Sequence, residues 1–298
     1  MEERVRVDPY LTVVVRPPTL VQLGAAATGA PVLRPPSWLP PDTAAGLVRW
    51  MQTYRTRREV ERRAADSGMT EGDVAELLAE LRAHGLLQRE PAGAPLHVYL
   101  HGKGPVADSL LGELESVDAV RVSAGTARGW TPTGRGIDLA VLTDVLTPDP
   151  VLVRRLMLAR VPHLPVLVRD GIGVVGPLVL PGASPCLRCL DHTRSDADPG
   201  WPTLACQLFG RTGRASDQVL RVTSAVAAQQ VGAIAALRAD EPAPGDGAGT
   251  ALRSAPLDVL GCTLEVEGCG IAVRRWTMHP GCGCGRPADD TAAAATTG

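Results

Sequence analysis

Four of the seven cysteines fall into two tight pairs, Cys186-Leu-Arg-Cys189 and Cys282-Gly-Cys284. A C-x-x-C turn lets two thiolates converge on one cation, and a second close pair completes a tetrahedral four-sulfur set. Sulfur-only ligation favours Zn2+ over hard cations, and four protein ligands close the site, which makes it structural. Ser184-Pro185 leads into the first pair and Pro280-Gly281 into the second, where knuckles are expected. The second pair has C-x-C spacing where C-x-x-C is more usual, so His279 stands as an alternative ligand. The competing reading is two unrelated loop pairs, or a redox C-x-x-C. Cys206, between Ala205 and Gln207, reads as a small buried apolar residue. Cys262 and Cys269 lie in strand-like contexts and have no metal spacing.

A second group with chemical content is Gly102-Lys103-Gly104-Pro105-Val106-Ala107, which follows the apolar run Leu96–Leu100. Two glycines allow a tight turn and let the backbone approach a phosphate at a helix N-terminus. Lys103, the only Lys among 30 basic residues, is either a point charge for such a phosphate or a plain turn residue. Pro105 removes one N–H donor, and Ala107 stands where a third glycine belongs. The following strand, Ala119–Val122, runs into Ser123-Ala124-Gly125 and not into the acid that would hold a ribose. Asp144, where the strand Asp138–Leu142 ends at Thr143-Asp144, reads by itself as a strand-end cap. The histidines form no base–nucleophile constellation.

The elements that must position these groups fall into two textures. In residues 1–90, Leu11–Val15, Thr19–Leu23 and Ala30–Leu33 read as strands, punctuated by Pro17-Pro18 and Pro35-Pro36. Asp42 is an expected N-cap for a helix with Leu47, Trp50 and Met51 at helical spacing. A second helix is expected over Arg57–Asp66. Thr70, with Asp73 three residues on, opens a third with the stripe Val74, Leu77, Leu78 and Leu81, and Gly85 stops it. Leu86–Gln88 is a candidate wing. Three strands followed by three helices is a winged-helix pattern. Residues 91–95 read as a linker.

From Leu96 to residue 285 strands and helices alternate, which predicts an α/β domain whose parallel sheet is covered on both faces. Helices are expected over Val106–Leu114, Asp149–Ala159 and Asp217–Arg238, strands over Val166–Arg169, Thr263–Val266 and Ile271–Trp276, and a further strand or hairpin over Gly173–Leu180. Residues 241–249 read as a flexible loop and 286–298 as a disordered tail. A length of 298 residues suits one large domain or two ordinary ones. A net charge of −2 and 3% aromatics argue against broad attraction to nucleic acid or anionic membrane, and against base-stacking platforms. No apolar run of about 18 residues stands out as a membrane span, and Met-Glu-Glu-Arg-Val-Arg is not a signal peptide. The expected compartment is the cytoplasm, where clustered thiols point to metal before disulfide.

The stretch Gly176-Pro-Leu-Val-Leu-Pro-Gly-Ala-Ser-Pro-Cys-Leu-Arg-Cys-Leu190 resembles the zinc knuckle of the E1-like/ThiF superfamily, which adenylates C-terminal carboxylates. Thr263-Leu-Glu-Val and Val273-Arg-Arg-Trp-Thr-Met-His-Pro-Gly-Cys-Gly-Cys284 are similar to its C-terminal strands and second knuckle. Cys186–Leu208, with Asp196-Ala-Asp-Pro-Gly-Trp-Pro-Thr-Leu-Ala, looks like the leader-peptide-binding subgroup of thiazole/oxazole-modified peptide (RiPP) biosynthesis. The resemblance implies a PqqD-like winged helix followed by a degenerate, Rossmann-type ThiF domain with structural Zn2+ on Cys186, Cys189, Cys282 and Cys284. It implies that a leader strand pairs at Val32, Leu33 and Arg34. Val74, Leu77 and Leu78 would line the groove, and Arg82 or Arg34 would meet leader carboxylates. It places Asp144 where the superfamily keeps its magnesium ligand, and Cys206 where some members keep a thioester cysteine. Gly102, Lys103, Gly104 and Asp144 thus mark a degenerate nucleotide site whose departures argue against ATP and Mg2+ chemistry. The implied role is a non-catalytic scaffold that presents a precursor to a YcaO-type cyclodehydratase, with a homodimer left open. The alternatives are an active adenylyltransferase and, for residues 1–90, a DNA-binding repressor.

Overall fold

The computed structural model describes residues 3–90, 94–126, 136–239, 257–268 and 270–285. Part of the expected linker 91–95 lies outside them, as do the loop 241–249, Cys269 and the tail 286–298. The chain forms two compact units, Met1–Ala92 and Gly93–Gly298.

In the first unit, β1 (Arg4–Val7) is followed by an antiparallel meander of β2 (Val13–Arg16), β3 (Leu20–Leu23) and β4 (Val32–Leu33). Then come α1 (Pro41–Trp50), β5 (Arg55–Thr56), α2 (Arg57–Ala65), α3 (Glu71–Ala83) and β6 (Leu87–Arg89). β5, β1 and β6 make a second three-stranded sheet, so the strands are not all ahead of the helices as the sequence suggests. β1 carries a period-two signal, Val5 and Val7 inward against Arg4 and Arg6, but four residues are too few to stand out. Asp42 is not the N-cap of α1. Pro40 is, and Pro41 at the first helical position needs no N–H partner, which leaves Asp42 in the first turn to face the helix dipole. Thr56 and Thr70 open α2 and α3 through reciprocal capping boxes with Glu59 and Asp73. Val7, Leu23, Val48, Met51, Val60, Val74 and Leu81 form this unit's core.

The second unit runs β7 (Leu96–His101), α4 (Pro105–Glu115), β8 (Val120–Gly125), β9 (Leu139–Thr143), α5 (Pro150–Leu158), β10 (His163–Arg169) and β11 (Ile172–Val175). It continues through α6 (Leu187–Ala197), α7 (Trp201–Leu208), α8 (Asp217–Ala239), β12 (Cys262–Glu267) and β13 (Gly270–Arg275). All its strands join one seven-stranded sheet, in the order β13-β12-β11-β10-β9-β7-β8. Four of them, β8-β7-β9-β10, are parallel, and the order reverses between β7 and β9, a Rossmann-like arrangement. The other half is antiparallel, which corrects the expectation of a parallel sheet. The cause is local: β10 and β11 are joined by Asp170-Gly171, both at positive φ, and such a two-residue turn closes only a hairpin.

α8 is the one described helix long and apolar enough to cross a membrane by length and composition, an exception to the sequence expectation. It packs on the sheet and on α4, placing Ala227, Val231 and Ile234 against Leu110 and Leu114 in a shared core. Thr223, Ser224 and Gln230 are buried along it.

His163, at the start of β10, is fully buried, and its Nδ1–H donates to Val161 O at 3.0 Å. Burial pushes its pKa down to about 4. The unfolded chain takes up this proton near pH 6.5 and the folded chain only near 4. His163 therefore leaves stability intact above 6.5 and removes it as pH falls between those values. The expected cost is about 2 kcal/mol by pH 5, read from denaturant melts at pH 7 and 5. His163→Asn should flatten that difference. An unchanged pH slope in this variant would show that the proton is taken up elsewhere.

Candidate functional site

The two cysteine pairs converge in space. Cys186 is the N-cap residue of α6, and Cys189 sits in its first turn, with the Cys189 N–H donating to Cys186 O at 2.9 Å. The second pair follows β13 in a turn where the Cys282 N–H donates to His279 O at 3.0 Å. Gly283 lies at φ +67°, a left-handed step that lets the short C-x-C spacing turn both sulfurs the same way. The Sγ–Sγ distances are 3.8 Å for Cys186–Cys189, 3.5 Å for Cys186–Cys282 and 3.4 Å for Cys189–Cys284. All four sulfurs lie within 4.8 Å of one another. A cation with metal–sulfur bonds of about 2.3 Å in a tetrahedron needs sulfurs about 3.8 Å apart, so the set fits a soft or borderline ion.

Electrostatics point the same way. Burial pushes the thiols of Cys186 and Cys284 up to about 11 and that of Cys282 up to about 12. Burial also opposes ionising Cys189, but hydrogen bonds from the backbone at His279 and Cys186, with the neighbouring thiols, hold it below its ordinary value. A bound cation must therefore displace protons, and binding weakens as pH falls. His279 is not free to ligate. Its Nε2 meets Asp196 Oδ2 at 2.8 Å, its Nδ1 accepts from Gly281 N–H at 3.1 Å, and its ring stacks on His192.

Beside this cluster, Arg194 on α6 lies 4.7 Å from the Trp201 ring of α7 and pairs with Asp191, which also accepts from Trp201 Nε1. Trp276, just beyond β13, donates from Nε1 to Thr263 Oγ1 at 2.8 Å. These contacts brace both approaches to the sulfurs. Sequence reading foresaw neither α6 nor α7, because a segment built around paired cysteines carries no helical stripe to find. Cys206 on α7 is exposed and not buried as expected, since α7 buries none of its side chains. Cys262 is buried in β12.

The Gly102–Gly104 loop leaves the C-terminal end of β7 at the point where strand order reverses, the place where such sheets bind ligands. The position is already taken. Asp144, 3% exposed and at φ +68°, accepts from the N–H of Val106 at 3.0 Å and of Ala107 at 3.1 Å. Its carboxylate thus sits on the N-terminal turn of α4, where a phosphate would be held in a nucleotide site. The glycines serve the same contact. A Cβ on Gly102 would lie 2.0 Å from Thr143 Oγ1, and one on Gly104 would lie 2.6 Å from Asp144 Oδ1.

In the first unit a groove runs between β4 and α3. Its floor is Leu33, Leu39, Leu47, Met69 and Leu77, with Arg34 on the strand side and Asp73, Glu76 and Glu80 on the helix side. Of the residues expected to touch a peptide, Leu33, Arg34 and Leu77 line it, and Val32 sits on the strand beside it. Val74 and Leu78 do not reach it. They are the inward positions of α3, 0% and 6% exposed, and belong to the core. Arg82 is exposed in the last turn of α3 and outside the lining. The residues that sequence missed, Leu39, Leu47 and Met69, sit on other elements; only tertiary packing brings them together.

Fold and site together define a two-unit α/β protein with a Rossmann-like second unit, a four-cysteine cluster and an apolar groove in the first. No family model and no curated protein sequence matches the chain. Solved structures do. The heterocyclase TruD aligns over 95% of this chain and 42% of its own, at 16% identity and TM-score 0.64. A heterocyclase in complex with substrate and cofactor aligns over 93% and 38%, at 15% identity and TM-score 0.63. The chain thus spans about two fifths of those proteins. The microcin C7 biosynthetic enzyme MccB, in complex with N-formylated MccA, aligns over 95% of this chain and 100% of its own, at 11% identity and TM-score 0.53. At these identities the likeness is one of fold.

Proposed function

We propose that the first unit is a PqqD-like winged-helix element that captures the leader of a ribosomally made precursor. The chain would then present the precursor's core to a separate YcaO-type cyclodehydratase for thiazoline or oxazoline formation. The observation that carries this reading is the groove beside β4, an edge strand that among the described residues pairs only with β3, with an apolar floor under it. Strand addition at such an edge gives sequence-tolerant affinity through the main chain, and the floor reads the side chains. Holding the precursor near the cyclodehydratase raises the core's effective concentration there. The fold likeness to heterocyclases, and to an enzyme solved with a peptide, supports the same reading. The Asp144 carboxylate on α4 supports a second unit without nucleotide chemistry.

In this reading Cys186, Cys189, Cys282 and Cys284 hold Zn2+. The ion neutralises the thiolates and ties α6 to the turn after β13; it takes no part in chemistry. The cytoplasm is the proposed compartment, where these thiols stay reduced.

The precursor should be a short Cys/Ser/Thr-rich peptide encoded beside this protein and a YcaO-type gene. Its fluorescein-labelled leader, titrated into the full chain, should bind with a micromolar Kd. Leu77→Asp should weaken binding at least about tenfold, because it sets a charge on the groove floor. Leader binding that Leu77→Asp leaves unchanged, in a variant that melts like the wild type, would remove the groove from the reading.

A further inference from the structure

The groove carries a charge that its apolar floor does not explain. Asp73, Glu76 and Glu80 face it from α3, against one cation, Arg34. Asp73 is occupied: Thr70 N–H and Oγ1 both donate to its Oδ2 at 2.7 Å, and these bonds hold it below the usual carboxylate range. The side chains of Glu76 and Glu80 have no hydrogen-bond or ion-pair partner among the described residues. They are four residues apart, one turn of helix, so their carboxylates repeat at about 6 Å along the groove. Alternate side chains on one face of an extended peptide repeat at about 6.7 Å.

The facing strand fits that period. The Leu23 N–H donates to Pro31 O at 2.9 Å, and β3 and β4 pair Gln22 with Val32 and Val21 with Leu33. The alternation of an antiparallel ladder then turns the N–H and C=O of Val32 outward, away from β3. An extended segment can hydrogen-bond there with its same-face side chains directed at α3.

We infer that the groove selects a basic extended segment of the precursor, with one apolar anchor for the Leu33–Leu77 floor and Lys or Arg two residues away for Glu76 and Glu80. This rests on the leader-binding reading and supplies the leader's chemical class. It also reverses the sequence expectation, in which Arg34 and Arg82 met leader carboxylates, and it disfavours DNA at this face, because the same carboxylates repel phosphodiesters.

The test uses the full chain and three short fluorescein-labelled peptides. They share one Leu anchor and carry Lys, Gln or Glu two residues to either side of it, on the same face of the extended chain. At low salt the Lys peptide should bind about tenfold tighter than the Gln peptide, and the Glu peptide weakest. Glu76→Gln with Glu80→Gln should erase the Lys advantage, and Leu77→Asp should abolish all binding. Equal binding of the three peptides, lost on Leu77→Asp, overturns the charge inference and leaves the groove reading standing. A Lys advantage that survives the double Gln variant also overturns it. No binding by any peptide, or binding indifferent to Leu77→Asp, overturns both.

Discussion

On the proposal that the four sulfurs hold Zn2+, a strong chelator should lower the melting temperature of this protein by about 10 °C or more, and Cys189→Ser should do the same without chelator. Four sulfurs meet within 4.8 Å, and three of their thiols are pushed up to about 11 or 12, so they keep their protons at neutral pH unless a cation replaces them. Because the ligands converge only in the folded chain, binding free energy becomes folding free energy, of order 10 kcal/mol for sulfur-rich zinc sites at neutral pH. For a unit of about 200 residues, 1 kcal/mol moves the midpoint by about 2–4 °C, so losing even 3–5 kcal/mol gives the stated shift. Cys189 should be the worst of the four positions to lose. It is fully buried, and its sulfur is the one that hydrogen bonds already bias toward the thiolate. Purified protein should carry one zinc per chain and lose it as pH falls, since protons compete for the same sulfurs. Absence of zinc, or four thiols that react as readily before chelation as after, contradicts the site.

The cysteines were legible because metal ligation depends on residue type and spacing, which sequence states directly. Their supports were not. His279 suits a ligand by type and position, and only coordinates reveal that Asp196 and Gly281 hold both its nitrogens. The capping boxes at Thr70 and the helix stop at Gly85 could be read because a cap is a local contract between residues three or four apart. The groove was half legible. The apolar stripe of α3 announces itself, but helical periodicity does not say which flank turns inward, so sequence alone does not separate the core positions Val74 and Leu78 from the groove-facing Glu76 and Glu80. The antiparallel half of the sheet was legible and unread: Asp170-Gly171 between two β-branched runs is a strong hairpin signal. Cys206 went astray for the opposite reason. Cysteine is usually buried, and the fully open face of α7 overrides that preference.

Asp144 carries the other large effect, because one carboxylate decides both a local fold and an activity. Asp144→Ala should destabilise the second unit by about 2–4 kcal/mol, a shift of about 5–10 °C, since it strips a charged acceptor from two buried N–H groups. Asp144→Asn, which keeps the shape but brings a donor to one of the two N–H groups, should fall between. The carboxylate is tethered at 3.0 and 3.1 Å from its donors, so it is present at high effective concentration, and a nucleotide phosphate must displace it to reach α4. A side chain on Gly102 or Gly104 would collide with Thr143 or Asp144, so this close approach of the loop requires glycine at both positions. ATP–pyrophosphate exchange by the wild-type protein should therefore not rise above the blank. The rival reading, an active adenylyltransferase, requires robust exchange that Asp144→Ala destroys. The two readings assign opposite work to one residue: for the scaffold, Asp144 is the anion that fills the nucleotide position; for the enzyme, it is the group that must leave that position to hold a metal. Exchange by the wild-type protein separates them, because the bonds from Asp144 to α4, and with them the melting cost of Asp144→Ala, are the same under both readings.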